Sequence, residues 1–558
     1  MVSHHNDAGN SFMQLNMARF SAFLSGNHIL LRGVFFLLIG ISLLRKLFDS
    51  DIWWHMVVGR EVIRRMRIPD QEFYILPRLG EPGEFHEWGF DVFYYLVEHY
   101  SGYAGMAIAN AAIGCGILLC LYFAAHSKTK TEWWQSLPVI ALVLWVIEPR
   151  LNYRPETLLY LLLAAEIFLL ENYLVQKKTA WLMPLPVFTW LLSQGHPSAI
   201  FLIGVFGVYS LQAVFTSTER TRTAGMLGFI MLAMAITATL NPYGFHQLWM
   251  PLDIALTSEE LKSITEFLPV LQTEYAPRFI ALAAAGLIAI LLAPSRRLVD
   301  ILLFFLFAIL AFRYARNIAL LGIVAFVPIN NAFFVFVARL AKTSTHKGII
   351  ALFSIFAGIA GVVTTGAGKV WGVGIYEGNT PCKSAPLLKR LVAQGNILNF
   401  YHLGSYLAWE LDRPVFVDGK NYGMNKAVEL HNAIFRADQG WQNVIQLFNI
   451  QAIVTPVTMD FSGEIIPLLT VLENDPDWIL AGREKADLVF VRNTGQAGIT
   501  PLPKEMIWRQ AIDELNDTIE LYPRSKTAYR SLSTAYGNIG DTAKQQYFLE
   551  KYLSLPDF

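Results

Sequence analysis

Charge is what this chain has least of. Only 16% of its 558 residues are Asp, Glu, Lys or Arg, against 54% hydrophobic, and the 44 basic and 44 acidic residues cancel. Mean hydropathy is +0.39. That composition suits a polytopic membrane protein and would leave a soluble one with too much apolar surface in water. With no net positive charge, a nucleic-acid partner is not expected. Cysteine is scarce too. Cys115 and Cys120 share one apolar run, where they read as small hydrophobes, and Cys382 has no evident mate. Neither a structural disulfide nor a zinc site is expected. No short apolar core with a small-residue cleavage site stands near the start. The run from Ile29 therefore reads as a retained first span, not a removed signal peptide.

What is present is a series of apolar runs of about 20 residues, the length that crosses a bilayer. They begin near Ile29, Tyr103, Trp133, Thr157, Trp181, Ala199, Thr223, Arg278, Leu298, Ile318 and Gly348. About eleven spans are expected. Residues 1–28 would form a cytoplasmic segment and 29–368 the transmembrane domain, with a long first outer loop over 48–102. Lys and Arg in alternate short loops set the orientation. Lys128 and Lys130, Lys177 and Lys178, Arg220 and Arg222, Arg296 and Arg297, and Arg339, Lys342 and Lys347 mark the cytoplasmic side. Arg45 and Lys46 are the one objection.

The opposite loops are chemically richer. They carry Asp49-Ser50-Asp51-Ile52-Trp53-Trp54-His55, Glu148 to Glu156 with Arg150 and Arg154, Gln194-Gly195-His196-Pro197, Asn241-Pro242-Tyr243-Gly244, and Arg313 to Asn317 with Arg316. Acids and arginines beside hydrocarbon need partners, ions or a watery cavity. A neutral tether would need none of them. The pattern predicts a functional face formed by these loops. Two amphipathic helices are expected in the first outer loop, Asp51 to Met66 ended by Pro69, and His86-Glu87-Trp88 to Tyr100 stopped by Gly102.

From about Lys369 the composition turns globular. Short β-type runs at 395–400, 414–417, 452–456 and 488–491 alternate with helical stretches at 385–393, 403–411 and 441–449. That alternation predicts a small extracytoplasmic α/β domain over 369–503 with a largely parallel sheet. The tail, 504–558, is helical and resembles tetratricopeptide repeats, with Pro523 and Pro556 standing 33 residues apart. A unit and a half makes no free solenoid. The tail is read either as a helical pair packed on the α/β domain or as a partner-binding groove.

One span, an acidic motif at its end, two interfacial helices and then many spans: this order resembles the GT-C class of membrane glycosyltransferases. The likeness extends to bacterial membrane proteins reading Asp-x-Asp-x-Trp-Trp-His, His-Glu-Trp, Arg-Pro and Asn-Pro-Tyr-Gly, here Asp49 to His55, His86 to Trp88, Arg154-Pro155 and Asn241 to Gly244. His402-Leu403-Gly404-Ser405-Tyr406 and Arg413 to Gly419 are similar in layout to the C-terminal domain of oligosaccharyltransferase catalytic subunits. The Trp-Trp-Asp of those enzymes is absent, and Phe400-Tyr401-His402 stands nearby.

The resemblance implies a polytopic α-helical protein that moves a sugar from a polyprenyl-phosphate carrier to a glycan, lipid or protein acceptor outside the cytoplasmic membrane. An acceptor hydroxyl needs a carboxylate to take its proton. Asp51 is the first choice and Asp49 the second. The departing lipid phosphate needs fixed cations, and arginine's planar fork fits phosphate oxygens. Arg150, Arg154, Arg313 and Arg316 are the candidates. His55, His86, Glu87, His196, Asn241 and Tyr243 are candidates for lining the pocket. Asp49 and Asp51 with Glu87 could hold a divalent cation, magnesium or manganese. Each residue also has a plainer reading. The acids would cap a helix, Trp53 and Trp54 would anchor at the membrane interface, and Arg64, Arg65 and Arg67 would meet lipid headgroups. Arg150 and Arg154 would pair with Glu148 and Glu156, and Asn-Pro-Tyr-Gly would stop a span. The rival to catalysis is a non-catalytic scaffold that recruits an assembly partner through its outer domain and tail.

Overall fold

The computed structural model describes residues 16, 23–24, 26–127, 132–257, 265–293, 295–366, 370–392, 394–420, 425–459, 462–485, 487–493 and 499–556. They form two compact units. One joins the described residues up to Leu47 with His86–Gly374; the other joins Phe48–Phe85 with those from Ile375 onward.

The first unit is helical. Its helices are His28–Ser42, Trp88–His126, Leu137–Ile147, Glu156–Gln176, Leu185–Gly195, Ala199–Phe215, Arg220–Ala238, Phe245–Thr257, Ala276–Leu292, Leu298–Arg313, Ile318–Leu340 and Ser344–Gly366. A helix starts at or just beside each apolar run predicted from sequence; Phe245–Thr257 was not anticipated. Among the described residues, five helices are long and apolar enough to cross a membrane: Trp88–His126, Glu156–Gln176, Arg220–Ala238, Ala315–Leu340 and Thr345–Gly366. Proline stands in the first turn of Leu137–Ile147, Leu185–Gly195 and Ala276–Leu292. No N–H is needed there. At Gly102 the backbone turns to φ 61°, ψ −170°, which breaks the Trp88–His126 run in two. Gly102 thus ends the predicted loop helix and lets the span start afresh. Small residues bring helices into contact, as expected in lipid. A methyl group on Gly361 would come within 2.8 Å of Ala141 Cβ.

The second unit carries a four-stranded sheet: β1 (Asn396–Asn399), β2 (Ile450–Thr455), β3 (Trp478–Arg483) and β4 (Leu488–Arg492), in the order β1-β2-β4-β3. Only β1 and β2 are parallel; β2–β4 and β3–β4 are antiparallel. The largely parallel sheet expected from sequence is corrected. Its last two strands form a hairpin, because the Glu484–Asp487 turn is too short for a crossover. The run 414–417 is no strand of this sheet. Val415 instead bridges Ile75 of the first loop.

That bridge marks a larger correction. The Asp51–Arg65 helix was expected to lie in the membrane interface as an amphipathic helix. It packs on the Gly404–Leu411 helix instead, with Trp53 1% exposed and edge-on to Tyr406 at 4.8 Å. Arg60 donates to the Trp409 and Ala408 carbonyls at 2.8 and 3.1 Å, satisfying the helix end. Arg64 pairs with Asp412 and Arg65 with Glu61, so both have protein partners. An amphipathic pattern does not say whether lipid or protein covers the apolar stripe.

In the tail, helices Glu505–Leu521, Lys526–Asn538 and Thr542–Ser554 follow one another. Glu514 accepts from Val457 N and from Thr458 N and Oγ1, and Trp508 Nε1 donates to Glu473 at 2.6 Å. The tail is packed on the domain, as one of its two readings had it.

The hairpin turn holds a buried carboxyl pair. Ser384 Oγ donates to Asp487 Oδ1 at 2.5 Å, and Glu484 Oε2 accepts Lys383 N and Ser384 N. Asp487 is fully buried, and burial pushes its carboxyl up to about 7. Ser384 opposes that rise, Glu484 adds to it, His402 opposes it, and Glu514 adds to it. The folded state therefore holds its proton more tightly than the unfolded chain. The stability this gives is complete below the ordinary carboxylate range and is lost as pH rises towards 7. Asp487→Asn is expected to flatten the fall in thermal midpoint between pH 4 and 7. A midpoint profile equal to that of the wild type would refute it.

Candidate functional site

In the first unit, loops far apart in sequence bring their polar residues together. Arg150 ends a short 3₁₀ turn, Glu148–Arg150, and Glu156 begins the next helix. Arg316 lies in the turn Ala315–Asn317 and Glu266 in the turn Thr265–Phe267. Arg150 donates to Glu266 Oε2 at 2.8 Å and to Glu156 Oε1 at 3.3 Å. Arg316 donates to Glu156 Oε1 at 2.5 Å, and Arg154 to Glu266 Oε2 at 3.3 Å. Burial alone would raise the Glu266 carboxyl; Arg150, Arg316 and Arg154 outweigh it and hold it below the usual carboxylate range. Three guanidiniums thus gather around Glu156 and Glu266. Arg150 Nε is buried with no hydrogen-bond partner among the described residues.

Glu87, His86 and His196 gather as well. Glu87 Oε1 lies 4.0 Å from His86 Nε2 and 3.8 Å from His196 Nε2. Burial pushes His196 down to about 4, against the pull of Glu156 and with a further push from Arg316. Its ring is neutral at pH 7. His196 Nδ1 also has no partner among the described residues.

Sequence reading found most of this cluster, including the Arg150–Glu156 pair, but misplaced Glu148. Glu148 does not meet Arg150 or Arg154; it pairs with Arg45 at 2.8 Å. Arg45 also donates to the Ser42 and Thr365 carbonyls and is 5% exposed, so this charge is consumed within the bundle. As a topological signal it counts for little. Arg313 lies over Tyr314 and is not part of the cluster. Asn241 stays local: its Oδ1 accepts Tyr243 N at 2.8 Å and its Nδ2 reaches the Ala238 carbonyl. The span-stop reading of that turn describes these contacts. Glu266 and Gln247 were missed. Gln247, 1% exposed, donates to the His86 and Ser193 carbonyls and ties two of the loops together. A charge count over the arginines would have called for an acid such as Glu266, since Glu148 and Glu156 cannot balance them all.

The second unit holds the acidic motif. Asp49, 7% exposed, accepts Asp51 N at 3.2 Å and so shapes the start of the Asp51–Arg65 helix. Asp51 lies against the Asp418-Gly419 turn, where a methyl group on Gly419 would come within 2.7 Å of Asp51 Oδ1. Asp418 is buried. Its carboxyl is pushed up to about 6 by burial, opposed by the Tyr74 hydroxyl at 2.8 Å and helped by Glu72. The backbone there is crowded: a methyl group on Gly404 would meet the Val417 carbonyl. The Gly404 and Asp418-Gly419 positions noted from sequence thus shape the seat of Asp51. His55 is 1% exposed and stacks on Trp54, with ring centres 3.5 Å apart. Among the described residues no three His, Cys, Asp or Glu side chains are placed to share a metal ion.

No protein-family description matches the chain, and no curated protein does. Solved structures do. The archaeal oligosaccharyltransferase AglB from Archaeoglobus fulgidus, in complex with an inhibitory peptide and a dolichol-phosphate, is similar at a TM-score of 0.59 and 11% identity, over 94% of this chain and 86% of that one. ArnT from Cupriavidus metallidurans is similar at 0.52 and 12%, over 85% and 99%. The arabinofuranosyltransferase AftD from Mycobacteria is similar at 0.53 and 13%, over 82% of this chain and 41% of that one. The chain is a polytopic membrane protein with the fold of the GT-C glycosyltransferases.

Proposed function

We propose that the protein transfers a sugar from a polyprenyl-phosphate carrier to a glycan, lipid or protein acceptor on the outer face of the cytoplasmic membrane. The observation that carries this reading is the Arg150, Arg154 and Arg316 cluster. It draws three guanidiniums from separate loops to one place and keeps a buried Arg150 Nε–H with no partner among the described residues, on a fold shared with an oligosaccharyltransferase solved with a dolichol-phosphate. In the reaction, the acceptor oxygen bonds to the anomeric carbon while its proton passes to the Asp51 carboxylate. The bond from that carbon to the carrier phosphate breaks, and the electron pair stays on the phosphate oxygen. The arginines stabilise that charge more than they stabilise the intact donor, which is what lowers the barrier. Asp49 and the Gly419 turn fix Asp51 in place.

Binding of the carrier tests the first half of this reading. Arg154 is the most exposed of the three arginines, at 28%. Purified wild type in detergent is expected to bind polyprenyl phosphate. Arg154→Gln should weaken binding roughly tenfold, the loss of one charge-assisted hydrogen bond, with its thermal midpoint without lipid unchanged. If the wild type binds neither polyprenyl phosphate nor its diphosphate, the reading fails.

A further inference from the structure

Three polar side chains beside the arginine cluster each bury an atom that meets nothing. Gln247 lies on the Phe245–Thr257 helix and is almost fully buried. Its Nε2 donates to the His86 carbonyl at 3.0 Å and to the Ser193 carbonyl at 2.7 Å. Those two bonds fix which way the amide points. Its Oε1 is buried and has no hydrogen-bond partner among the described residues. Trp88, two residues past His86, opens the Trp88–His126 helix, and its Nε1–H is buried and unpartnered among them as well. So is Nδ1 of the buried His196, three residues past Ser193. The His196 ring is neutral at pH 7, and its Nε2 is turned to Glu87 Oε1 at 3.8 Å. Its one proton sits best on Nε2, facing the carboxylate, so Nδ1 presents a lone pair.

These atoms belong to one place. The Gln247 amide joins the 86–88 segment to the 193–196 segment, and the two segments also touch directly: a methyl group on Gly89 would come within 2.8 Å of the Gln194 carbonyl. A methyl group on Gly195 would come within 3.0 Å of Leu158, two residues past Glu156. Glu156 and Arg316 both act on His196 through their charge, so the group borders the arginine cluster. Its approach is lined by His86, Arg154 and Arg316, which are partly exposed.

One donor and two acceptors, all buried, are unfavourable until matched. A carboxylate would serve Trp88 but face two lone pairs. An ammonium would serve the lone pairs but face the indole N–H. Hydroxyls donate and accept alike, and neighbouring hydroxyls on one ring can serve all three groups. We propose that Trp88, His196 and Gln247 read the hydroxyls of the donor's sugar ring, and that this sugar is neutral. The inference rests on the reading that Arg150, Arg154 and Arg316 hold the carrier phosphate, because a sugar bonded to that phosphate must lie beside it. The three residues select the sugar and take no proton in the transfer. Groups placed to bond a substrate hydroxyl discriminate sharply, since a ring that lacks it leaves them unmet.

Binding by the purified full-length protein decides it, measured for polyprenyl phosphate alone and for the same carrier bearing glucose, mannose, galactose, glucuronate or glucosamine. The wild type is expected to bind a neutral-sugar carrier roughly tenfold tighter than the bare one, the effect of one buried group satisfied. The glucuronate and glucosamine carriers should bind more weakly than that neutral one. Trp88→Phe keeps an aromatic ring and removes the N–H. It should lose most of the gain from the sugar while its affinity for the bare carrier and its thermal midpoint hold. The proposal is overturned if no neutral sugar improves on the bare carrier, if a charged sugar improves on it more, or if Trp88→Phe weakens both carriers alike. Should Trp88→Phe fail to fold, the wild-type comparison still decides. Binding of the bare carrier with no gain from any sugar sinks this inference alone. No binding of any carrier sinks the reading of the arginines along with it.

Discussion

Cells that carry Asp51→Asn in place of the wild type are expected to lose the protein's glycan product, with the transfer rate down by roughly 10²–10⁴-fold. The substitution keeps the size of the side chain and removes its negative charge, and with it its capacity to take a proton. Asp51 heads the Asp51–Arg65 helix, whose packed face is formed by other residues, among them Ile52, Trp53 and Met56, so protein level and thermal midpoint should hold. Asp49→Asn makes the contrast. Asp49 accepts the Asp51 N–H, and the asparagine carbonyl can accept it as well, so its activity should fall far less. The measurement is glycan content and lipid-linked sugar in cells matched for protein amount. Unchanged glycans in Asp51→Asn cells would sink the catalytic reading and leave the scaffold.

The parts of the fold legible in sequence were those governed by one dominant force. Burial of apolar runs in lipid requires helices, and a helix appears at each predicted start, from His28–Ser42 to Ser344–Gly366. Gly102 was legible because a single residue with positive φ has few other uses. The Asp51–Arg65 stripe was visible too, but its cover was not. Lipid and the Gly404–Leu411 helix are equally apolar neighbours, and nothing local distinguishes them. Sheet direction was misread for a similar reason: β3 lies in the stretch 478–483, where Gly482 and Arg483 cut its apolar run short.

The site divides the same way. Arginines at span ends stand out because charge is costly near hydrocarbon, and three of the four named gather. Their counter-ions were harder to read. Glu148 is nearest to Arg150 in sequence, yet it serves Arg45 from more than a hundred residues away. Glu266 sits in a loop with no marked periodicity. Pairing depends on the three-dimensional course of the loops, and sequence spacing carries little of that.

Loss of Arg150 is expected to destabilise the membrane unit by about 3–5 kcal/mol, the usual effect of removing one partner from a buried ion pair. Arg150 is 9% exposed and touches both Glu156 and Glu266, themselves at most a fifth exposed. Arg150→Met keeps much of the side-chain volume but leaves these two carboxylates to Arg316 and Arg154. The thermal midpoint in detergent should drop accordingly. A second change tests the cause. Arg150→Met/Glu266→Gln removes the carboxylate that Arg150→Met strands as well as its partner, so the double variant should be less destabilised than the sum of the singles, by roughly 0.5–3 kcal/mol. Additive singles would mean that Arg150 stabilises through packing alone. Arg150→Lys separates stability from function: it restores the charge but not the fork that reaches two acids at once. It should recover a large part of the midpoint and little of the carrier binding. Full recovery of both would remove the geometric argument for arginine at this position.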